Sequence, residues 1–174
     1  MLLDGNPKPG PFPSLSTPGL LLNAMKKQDA EAYSDILSHP STWHYLTESG
    51  PVNLEAAEAK IERNHRYAEE GKAFYWAIRD HSQVFLGYIA AFHLGEGRAA
   101  ISYGIHPNFR RKGYASKALR LILNWDGLAN KELELATHLD NEASFHLLKK
   151  MGLNYEGILE RPQGKRHVFI RKKR

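Results

Sequence analysis

A cluster of cations beside a glycine is the part of this sequence whose residue types best suit binding chemistry. In HPNFRRKGYASKAL, Arg110, Arg111 and Lys112 stand before Gly113, and the small residue Ala115 follows. A strand-like run, ISYGI, precedes the stretch, and an amphipathic run follows it. The first amides of a helix have no intrahelical partner, and the helix dipole adds partial positive charge there. Since glycine has no Cβ, the backbone can turn tightly and approach a ligand. The stretch therefore predicts a helix N-terminus that binds an anion, best a phosphate.

Two common nucleotide-binding motifs do not describe this stretch. The P-loop pattern GxxxxGK[ST] is missing from it. The dinucleotide pattern GxGxxG is missing as well, and the strands before it are expected to be antiparallel rather than the start of a βαβ unit. The predicted anion site is therefore of another type.

The composition is that of one globular domain. The chain has 174 residues, of which 42% are hydrophobic and 25% charged, as in ordinary soluble proteins. It has no cysteine, which excludes disulfides, thiol nucleophiles and thiolate metal sites, and we expect no metal. No apolar run approaches the roughly 20 residues needed to span a bilayer. Prolines occupy the place where a signal peptide would carry its apolar region. We therefore expect a cytoplasmic protein with no membrane partner.

The charge balance indicates an anionic partner. The net charge is +5 and the sequence pI about 9.4, which suits a nucleotide cofactor, a nucleic acid or an acidic surface. Much of the excess lies in RRK at 110–112 and in the terminal KRHVFIRKKR. For the terminal segment a solvated basic surface explains the charge equally well. The chain shows neither an RNP-like strand nor a KH-type loop, so nucleic acid is the less favoured partner.

The hydrophobic pattern predicts a Pro-rich leader and one domain. Residues 1–18 hold five of the nine prolines and form a leader that is either packed on the domain or loose. Residues 19–174 follow the order β-α-α-β-β-β-α-β-α-β-β. Predicted strands cover 19–25, 73–80, 84–94, 99–105, 132–139, 153–160 and 166–171, and predicted helices cover 28–38, 54–70 behind the N-cap Asn53, 114–128 and 141–151.

This order defines an α/β (α+β) fold. We expect a mixed, mostly antiparallel, seven-stranded sheet with helices on both faces. The strand–helix–strand unit around residues 100–139 should be a right-handed parallel crossover.

Two segments carry a family resemblance. ISYGIHPNFRRKGYASKAL resembles motif A of the GNAT N-acetyltransferases, Q/R-x-x-G-x-G/A, with residues 110–115 in the motif positions. ATHLDNEASFHLLKKMGLNYEGILE resembles the second half of that family. Its pattern NEAS…LLKKMGL…EG is most similar to the RimJ/RimL branch, which acetylates the N-termini of ribosomal proteins. The predicted element order matches the family from Gly19 onward.

The resemblance implies a site for acetyl-CoA in a V-shaped gap between two strands. The pantetheine arm would pair with the open strand edge at 103–105, and the pyrophosphate would lie on the amides of 111–116. Lys117 or Arg120 would reach the 3′-phosphate, unless both are solvent-side cations. Asn141 matches a family asparagine near the cofactor and would also suit a helix N-cap. The predicted cofactor-binding residues are Tyr103, Gly104, Ile105, Arg110, Arg111, Lys112, Gly113, Tyr114, Ala115, Ser116 and Asn141.

The resemblance leaves the proton-transfer groups incomplete. Many family members place an acidic tyrosine seven residues after the asparagine, where this chain has Leu148. The branch serine corresponds to Ser144, which we predict as the catalytic donor to the leaving thiolate, with a first-turn helix serine as the alternative. Relatives often carry glutamate at the positions of Ala100 and Ala136. The remaining base candidates, each better explained by a structural or solvated role, are Glu48, Glu55, His93, His106 and His138.

The lack of an evident strong base bears on the acceptor. A peptide α-amine has a pKa near 8 and lysine one near 10.4, so the α-amine is far more often neutral at pH 7. We therefore expect N-acetylation of an α-amine, in the manner of a ribosomal-protein N-terminus. The aromatic residues 43–45, Tyr67 and the turn 161–164 would line the acceptor pocket or pack in the core.

Several alternatives stay open on the sequence. The acceptor could be a small-molecule amine such as a polyamine or an aminoglycoside-like compound. The chain could instead be a basic module that binds RNA or the ribosome without catalysis, or a degenerate member that binds CoA and does no chemistry. A homodimer is as compatible with the sequence as a monomer.

Overall fold

The computed structural model of the chain describes residues 11–45, 51–92, 95 and 97–174, with the side chain of Trp43 excepted. Within these ranges eight strands form one sheet in the order β1-β2-β3-β4-β5-β6-β8-β7. The strands are β1 Leu15–Thr17, β2 Leu20–Ala24, β3 Ala73–Arg79, β4 Phe85–Phe92, β5 Arg98–Ile105, β6 Glu132–His138, β7 Asn154–Arg161 and β8 Gly164–Arg171. The helices are α1 Ala30–Ser38, α2 Pro40–Trp43, α3 Leu54–Glu69, α4 Tyr114–Asn124 and α5 Glu142–Lys150, with short 3-10 turns at Lys27–Asp29, Pro107–Phe109 and Asp126–Leu128.

The predicted fold class is confirmed, with one strand more than expected. β5 and β6 are parallel, and the other paired strands are antiparallel. The prediction of seven strands was wrong because Leu15–Thr17, in the Pro-rich leader, pairs with β2. Prolines conceal this strand in the sequence, but an edge strand tolerates them because one row of its amides needs no partner. The sheet thus continues across the predicted boundary at residue 19, while residues 1–10 lie outside the described ranges.

Aromatic contacts hold the leader segment on the sheet. Phe12 packs edge-on against Phe74 and Trp76, with ring centroids 5.8 Å apart in each case. The indole Nε1 of Trp76 donates a hydrogen bond to the carbonyl oxygen of Pro13 at 2.7 Å. Of the two alternatives for the leader, residues 11–18 therefore take the packed one.

The helices cover both faces of the sheet. The buried residues of α4 and α5 join one core with β2–β6 and β8, and those of α1 and α3 join a second core on the opposite face. On α4 the helical spacing buries Ala118, Leu119 and Ile122. This helix ends at Asn124 rather than at the predicted Leu128, because Trp125 leaves the helix and packs edge-on against Trp76.

The parallel pair diverges and opens a gap in the sheet. β5 and β6 are in register only from Arg98↔Glu132 to Ala100↔Glu134. Beyond that point β5 pairs with β4 as far as Ile105, and β6 pairs with β8 as far as His138. A V-shaped gap therefore separates the carboxyl ends of two adjacent strands, which is where open α/β sheets usually bind ligands. Within the described ranges, the helices lack the length and apolarity that crossing a bilayer requires.

Candidate active site

The gap widens into a cleft of about 2070 Å³. Its walls come from β5 and β6, from α2 and the C-terminal end of α3, from the starts of α4 and α5, and from the tip of the β7–β8 hairpin. The two predicted motifs therefore lie on opposite sides of one cleft, with the first helix turn of each at its edge.

The open edge of β5 offers backbone hydrogen-bonding groups to the cleft. His106 N donates to Leu86 O at 2.8 Å, and Gly104 is the register partner of Tyr88. Because an antiparallel strand directs successive residues' backbone groups to alternate sides, the amides and carbonyls of Tyr103 and Ile105 point away from β4, into the gap. Gly104 instead makes room for a neighbouring ring, since a Cβ there would lie 2.7 Å from Tyr88 Cε1 and only glycine fits.

The start of α4 has the geometry of an anion site. Gly113 caps the helix with φ 80° and ψ 5°, in the left-handed region that favours glycine. A Cβ added at Gly113 would meet, beyond its chain neighbours, no atom of the described residues within 4 Å, and the residue lines the cleft. The amides of Tyr114, Ala115 and Ser116 belong to the first turn and have no intrahelical carbonyl partner. Arg111 completes the loop with φ 62°, an uncommon conformation for a residue with a side chain.

Arg110 is engaged by the protein itself. Its Nη1 donates to Ser41 Oγ at 2.5 Å, its Nη2 to Thr42 Oγ1 at 2.6 Å, and its Nε to the carbonyl of Ile105 at 3.1 Å. Burial lowers the pKa of the guanidinium, which nevertheless stays charged because its ordinary value is so high. Arg110 therefore clamps α2 to the end of β5 and contributes charge, rather than a free fork, to an anion in the loop.

The other predicted cations lie away from the cleft wall. Lys112 Nζ stands 5.6 Å from the ring centroid of Phe109, and Lys112 does not line the cleft. Lys117 and Arg120 line a second, smaller depression together with Leu15 of β1. These positions favour general electrostatic attraction over direct contact with a diphosphate at Gly113.

A pair of hydroxyl groups lies where α5 meets β5. Asn141 caps α5 by accepting a hydrogen bond from Ser144 N at 3.2 Å, which matches its predicted N-cap alternative. Ser144 Oγ lies 2.7 Å from the phenol oxygen of Tyr103. Burial raises the pKa of the Tyr103 phenol, and its hydrogen bond with Ser144 opposes this only in part. Leu148, at the position of the family tyrosine, is 1% exposed and offers no polar atom.

Glu134 is a cleft residue that the sequence analysis missed. Its carboxylate accepts two hydrogen bonds from Arg161, Nε to Oε1 at 2.7 Å and Nη2 to Oε2 at 2.9 Å. This pairing raises the pKa of the Arg161 guanidinium. Since Glu134 is the register partner of Ala100, its side chain lies beside one of the positions where glutamate was expected and not found. The alternation in ELELATH, which puts Glu134 on the same strand face as Ala136, was the signal that could have identified it.

The base candidates have structural partners or lie elsewhere. His106 Nδ1 accepts a hydrogen bond from Asn108 N at 3.3 Å, and His138 Nδ1 accepts one from Asp140 N at 3.2 Å. A ring nitrogen that accepts from a backbone amide is unprotonated, so in the neutral ring the proton lies on Nε2. Both histidines therefore cap turns. Glu55 is exposed in the first turn of α3 and does not line the cleft, while Glu48 and His93 lie outside the described residues.

Aromatic residues line the side of the cleft under α2 and α3. Tyr45, Tyr67 and Tyr75 contribute to this wall, and the hairpin turn at Pro162 and Gln163 faces it. The ring of Tyr45 also packs against His138, with centroids 5.5 Å apart. The residues predicted for an acceptor wall that line the cleft are Tyr45, Tyr67, Arg161, Pro162 and Gln163.

Comparison with known proteins identifies the family. The model of the acetyltransferase (GNAT) domain matches residues 19–154. With this match and the diverging-strand gap, the chain belongs to the GNAT N-acetyltransferase family, which uses acetyl-CoA as acetyl donor, and the predicted family is confirmed.

Three individual acetyltransferases are similar to this chain in sequence or in fold. The uncharacterized N-acetyltransferase YoaA of Bacillus subtilis (strain 168) is 32% identical over 156 residues, which are 85% of this chain and 86% of that protein. An acetyltransferase of Salmonella typhimurium that modifies the N-terminal serine of 50S ribosomal subunit protein L7/L12 shares the fold, with a TM-score of 0.74, 17% identity and coverage of 89% and 95% of the two chains. The spermidine N-acetyltransferase of Vibrio cholerae, solved with CoA and spermine, has a TM-score of 0.73, 18% identity and coverage of 87% and 93%.

Proposed function

We propose that this N-acetyltransferase transfers the acetyl group of acetyl-CoA to the N-terminal α-amine of a protein or peptide. The observation that carries the choice of acceptor is the charge of the acceptor side of the cleft. On the wall formed by α3, β6 and the β7–β8 hairpin, Glu70 pairs with Lys72 at 2.6 Å and Glu134 pairs with Arg161 at 2.7 Å. A polyamine brings several positive charges and needs carboxylates free to receive them. A peptide α-amine brings one weakly basic group, which suits a wall on which Glu70 and Glu134 already have cationic partners. The other two carboxylates of the cleft, Asp140 and Glu142, lie at the start of α5.

The cofactor side supports acetyl-CoA as the donor. The gap-facing amide and carbonyl of Tyr103 and the amide of Ile105 can pair with the amides of a pantetheine arm, while the Ile105 carbonyl accepts from Arg110 Nε. The amides of Tyr114, Ala115 and Ser116 can receive the diphosphate, with the charge of Arg111 beside them. Asn141 caps the first turn of α5, and Ser144 in that turn lines the same cleft.

The reaction needs little chemistry from the protein beyond placement. The amine nitrogen attacks the thioester carbonyl, the C–N bond forms and the C–S bond breaks. Holding the two reactants together contributes up to about 7–11 kcal/mol to lowering the barrier. A gap-facing amide of β5 can donate to the developing oxyanion, and the Ser144 hydroxyl can donate to the departing sulfur. The proton released by nitrogen can leave through water in the open cleft.

The basic C-terminal segment gives little support to a nucleic-acid-binding function. Residues 164–171 form β8, inside the sheet. Arg171 Nη2 donates to Leu128 O at 2.7 Å, Lys172 pairs with Glu132 at 3.2 Å, and Arg174 pairs with Asp126 at 3.2 Å. These cations mainly attach the end of the chain to its own domain.

The decisive experiment measures free CoA formation with a matched set of amines. The set contains peptides with a free N-terminus and no lysine, the same peptides N-terminally blocked and carrying one lysine, spermidine, and an aminoglycoside. We expect turnover with the free N-termini. Turnover confined to lysine side chains, spermidine or the aminoglycoside would refute the proposed acceptor. Acetyl-CoA at a hundred times its Kd should also stabilise the protein by about 2.7 kcal/mol, which thermal unfolding can detect.

A further inference from the structure

Tyr103 has a side-chain position that needs its own explanation. Binding of a cofactor by the backbone groups of β5 does not account for it. Tyr103 packs with Ile101 and Ile105 against the core on the α4–α5 face of the sheet. Its phenol oxygen reaches Ser144 Oγ at 2.7 Å, across 41 residues of sequence. Phenylalanine would fill the same space without placing a hydroxyl group in a largely desolvated site, where burial raises the pKa of the phenol.

The chemistry of the two hydroxyls sets the direction of the hydrogen bond. A phenol is far more acidic than an aliphatic alcohol and is therefore the better donor. Because burial keeps the phenol of Tyr103 protonated, its single proton is available to Ser144 Oγ. The serine proton is then free to rotate toward the cleft, which Ser144 lines.

We propose that Tyr103 is a positioning residue for departure of the thiolate: its phenol donates to Ser144 Oγ and thereby directs the serine O–H at the leaving sulfur. The inference rests on the proposed function, because it requires a thioester in the gap. Tyr103 of β5 thus supports Ser144 of α5. The seventh residue of α5, Leu148, is buried and cannot donate a proton itself.

The step balances without a further reactant. The amine nitrogen forms its bond to the carbonyl carbon, and the C–S electron pair leaves on sulfur. The Ser144 O–H stabilises that negative charge by hydrogen bonding and keeps its own proton. The sulfur is then protonated by water that carries the proton lost from nitrogen, so Ser144 and Tyr103 end the cycle as they began it.

The first test compares Tyr103→Phe, Ser144→Ala and the double variant. Loss of a hydrogen bond to a charged group predicts a fall in kcat of about tenfold to a hundredfold for Ser144→Ala. We expect about tenfold or less for Tyr103→Phe, with KM for acetyl-CoA unchanged in both. The double variant should be no slower than Ser144→Ala, since Tyr103 acts through the serine. Multiplicative losses in the double variant would overturn the inference.

A matched control separates this effect from the loss of any tyrosine hydroxyl. The Tyr155 hydroxyl lies 2.8 Å from His167 Nδ1, between β7 and β8 and outside the cleft. Tyr155→Phe therefore removes a tyrosine hydrogen bond at a more exposed position away from the cleft and should leave kcat unchanged. Equal kcat losses in Tyr103→Phe and Tyr155→Phe would contradict a specific effect at sulfur.

The second test reports on the sulfur without turnover. CoA and desulfo-CoA are titrated against the wild type and Tyr103→Phe at about pH 7 and about pH 9, on either side of an ordinary thiol pKa. A donor aimed at sulfur predicts that CoA, and not desulfo-CoA, binds the wild type several-fold more tightly at the higher pH. Tyr103→Phe should lose most of this gain. A gain of the same size in the variant would overturn the inference. If the wild type turns over with acetyl-CoA and Tyr103→Phe matches it in kcat and in CoA binding, this inference alone is refuted. If the wild type is inactive with every amine, the proposed function is refuted as well.

Discussion

Two glycines of this chain allow a sharp test of the anion site at α4. Gly113 and Gly152 have φ values of 80° and 75°, and a Cβ added at either would have, in the described part of the chain, no contact within 4 Å beyond its chain neighbours. Gly113 lines the cleft at the start of α4, whereas Gly152 follows the end of α5 and does not line it. Gly113→Ala and Gly152→Ala therefore introduce the same backbone strain and the same methyl group, and differ in whether a ligand approaches.

The two variants should lose similar stability. An L-residue in the left-handed conformation costs about 1–2 kcal/mol. For a chain of this size each 1 kcal/mol lowers Tm by about 2–4 °C, so both variants should unfold about 2–8 °C lower. Since neither Cβ meets a protein atom, steric repulsion within the protein adds nothing to this cost.

The affinity for acetyl-CoA should separate the two variants. If the proposed diphosphate lies at this helix start, the methyl group of Gly113→Ala would occupy the space through which it reaches the amides of Tyr114 and Ala115. Loss of one hydrogen bond to a charged group costs about 1.5–3 kcal/mol, a rise in Kd of about 10- to 150-fold. Isothermal titration calorimetry at a temperature where both variants are folded measures Kd directly, and Gly152→Ala should match the wild type. Equal Kd values for the two variants would refute the assignment of the diphosphate to this helix start.

Three further variants, one of them with a matched control, test the fold and its buried polar groups. Asp29→Asn breaks an ion pair with Arg79 in which both side chains are at most 3% exposed; it should lower the free energy of unfolding in urea by about 3–5 kcal/mol. Glu58→Gln, in an ion pair whose lysine is 78% exposed, is its control and should cost less than about 1 kcal/mol. Burial raises the pKa of the Tyr33 phenol above its ordinary value, so the folded state holds this proton more tightly than the unfolded chain and stability falls as pH rises above about 10. Tyr33→Phe should lessen that alkaline loss by up to about 1.4 kcal/mol per pH unit, and identical pH slopes in urea titrations would contradict the assignment. The hydroxyl of Thr137 is buried and has no hydrogen-bond partner among the residues that the structure describes, so Thr137→Val should raise the free energy of unfolding by about 1 kcal/mol; a decrease would show that the hydroxyl has a partner.

Sequence patterns predicted those parts of the structure whose conformation depends on residues close together in the chain. The strand, the glycine turn and the amphipathic helix at 99–124 are consecutive, and each has its own periodicity. The cap at Asn53, whose Oδ1 accepts from Ala56 N at 2.8 Å, likewise depends on four residues in a row. Where a prediction needed only the conformation of one segment, the structure agrees to within a few residues.

Contacts between distant segments could not be read in the same way. Arg110 reads as a free cation beside a glycine, yet its fork is taken by Ser41 and Thr42, which lie 69 and 68 residues away. β1 reads as leader because its neighbours are prolines, and only its pairing with β2 makes it a strand. Such partners follow from the register of the sheet. The hydrophobic pattern constrains this register but does not determine which residues of two distant segments become partners.

Because β5 and β6 diverge, polar side chains reach the cleft from both faces of the sheet. Side chains on successive strand positions point to opposite faces, so a gap between two strands is open to both faces at once. Tyr103 approaches the gap from the face that carries α5 and meets Ser144 there. Glu134 approaches from the face under α2 and α3, where the tyrosines of the acceptor wall lie.

A thioester held along β5 would thus present its sulfur to the hydroxyl pair and its carbonyl carbon to an amine entering from the other face. The two proton-handling steps, one at sulfur and one at nitrogen, would then be separated by the sheet itself. A variant at Glu134 should therefore alter the acceptor KM without the sulfur-linked pH response that Tyr103→Phe removes.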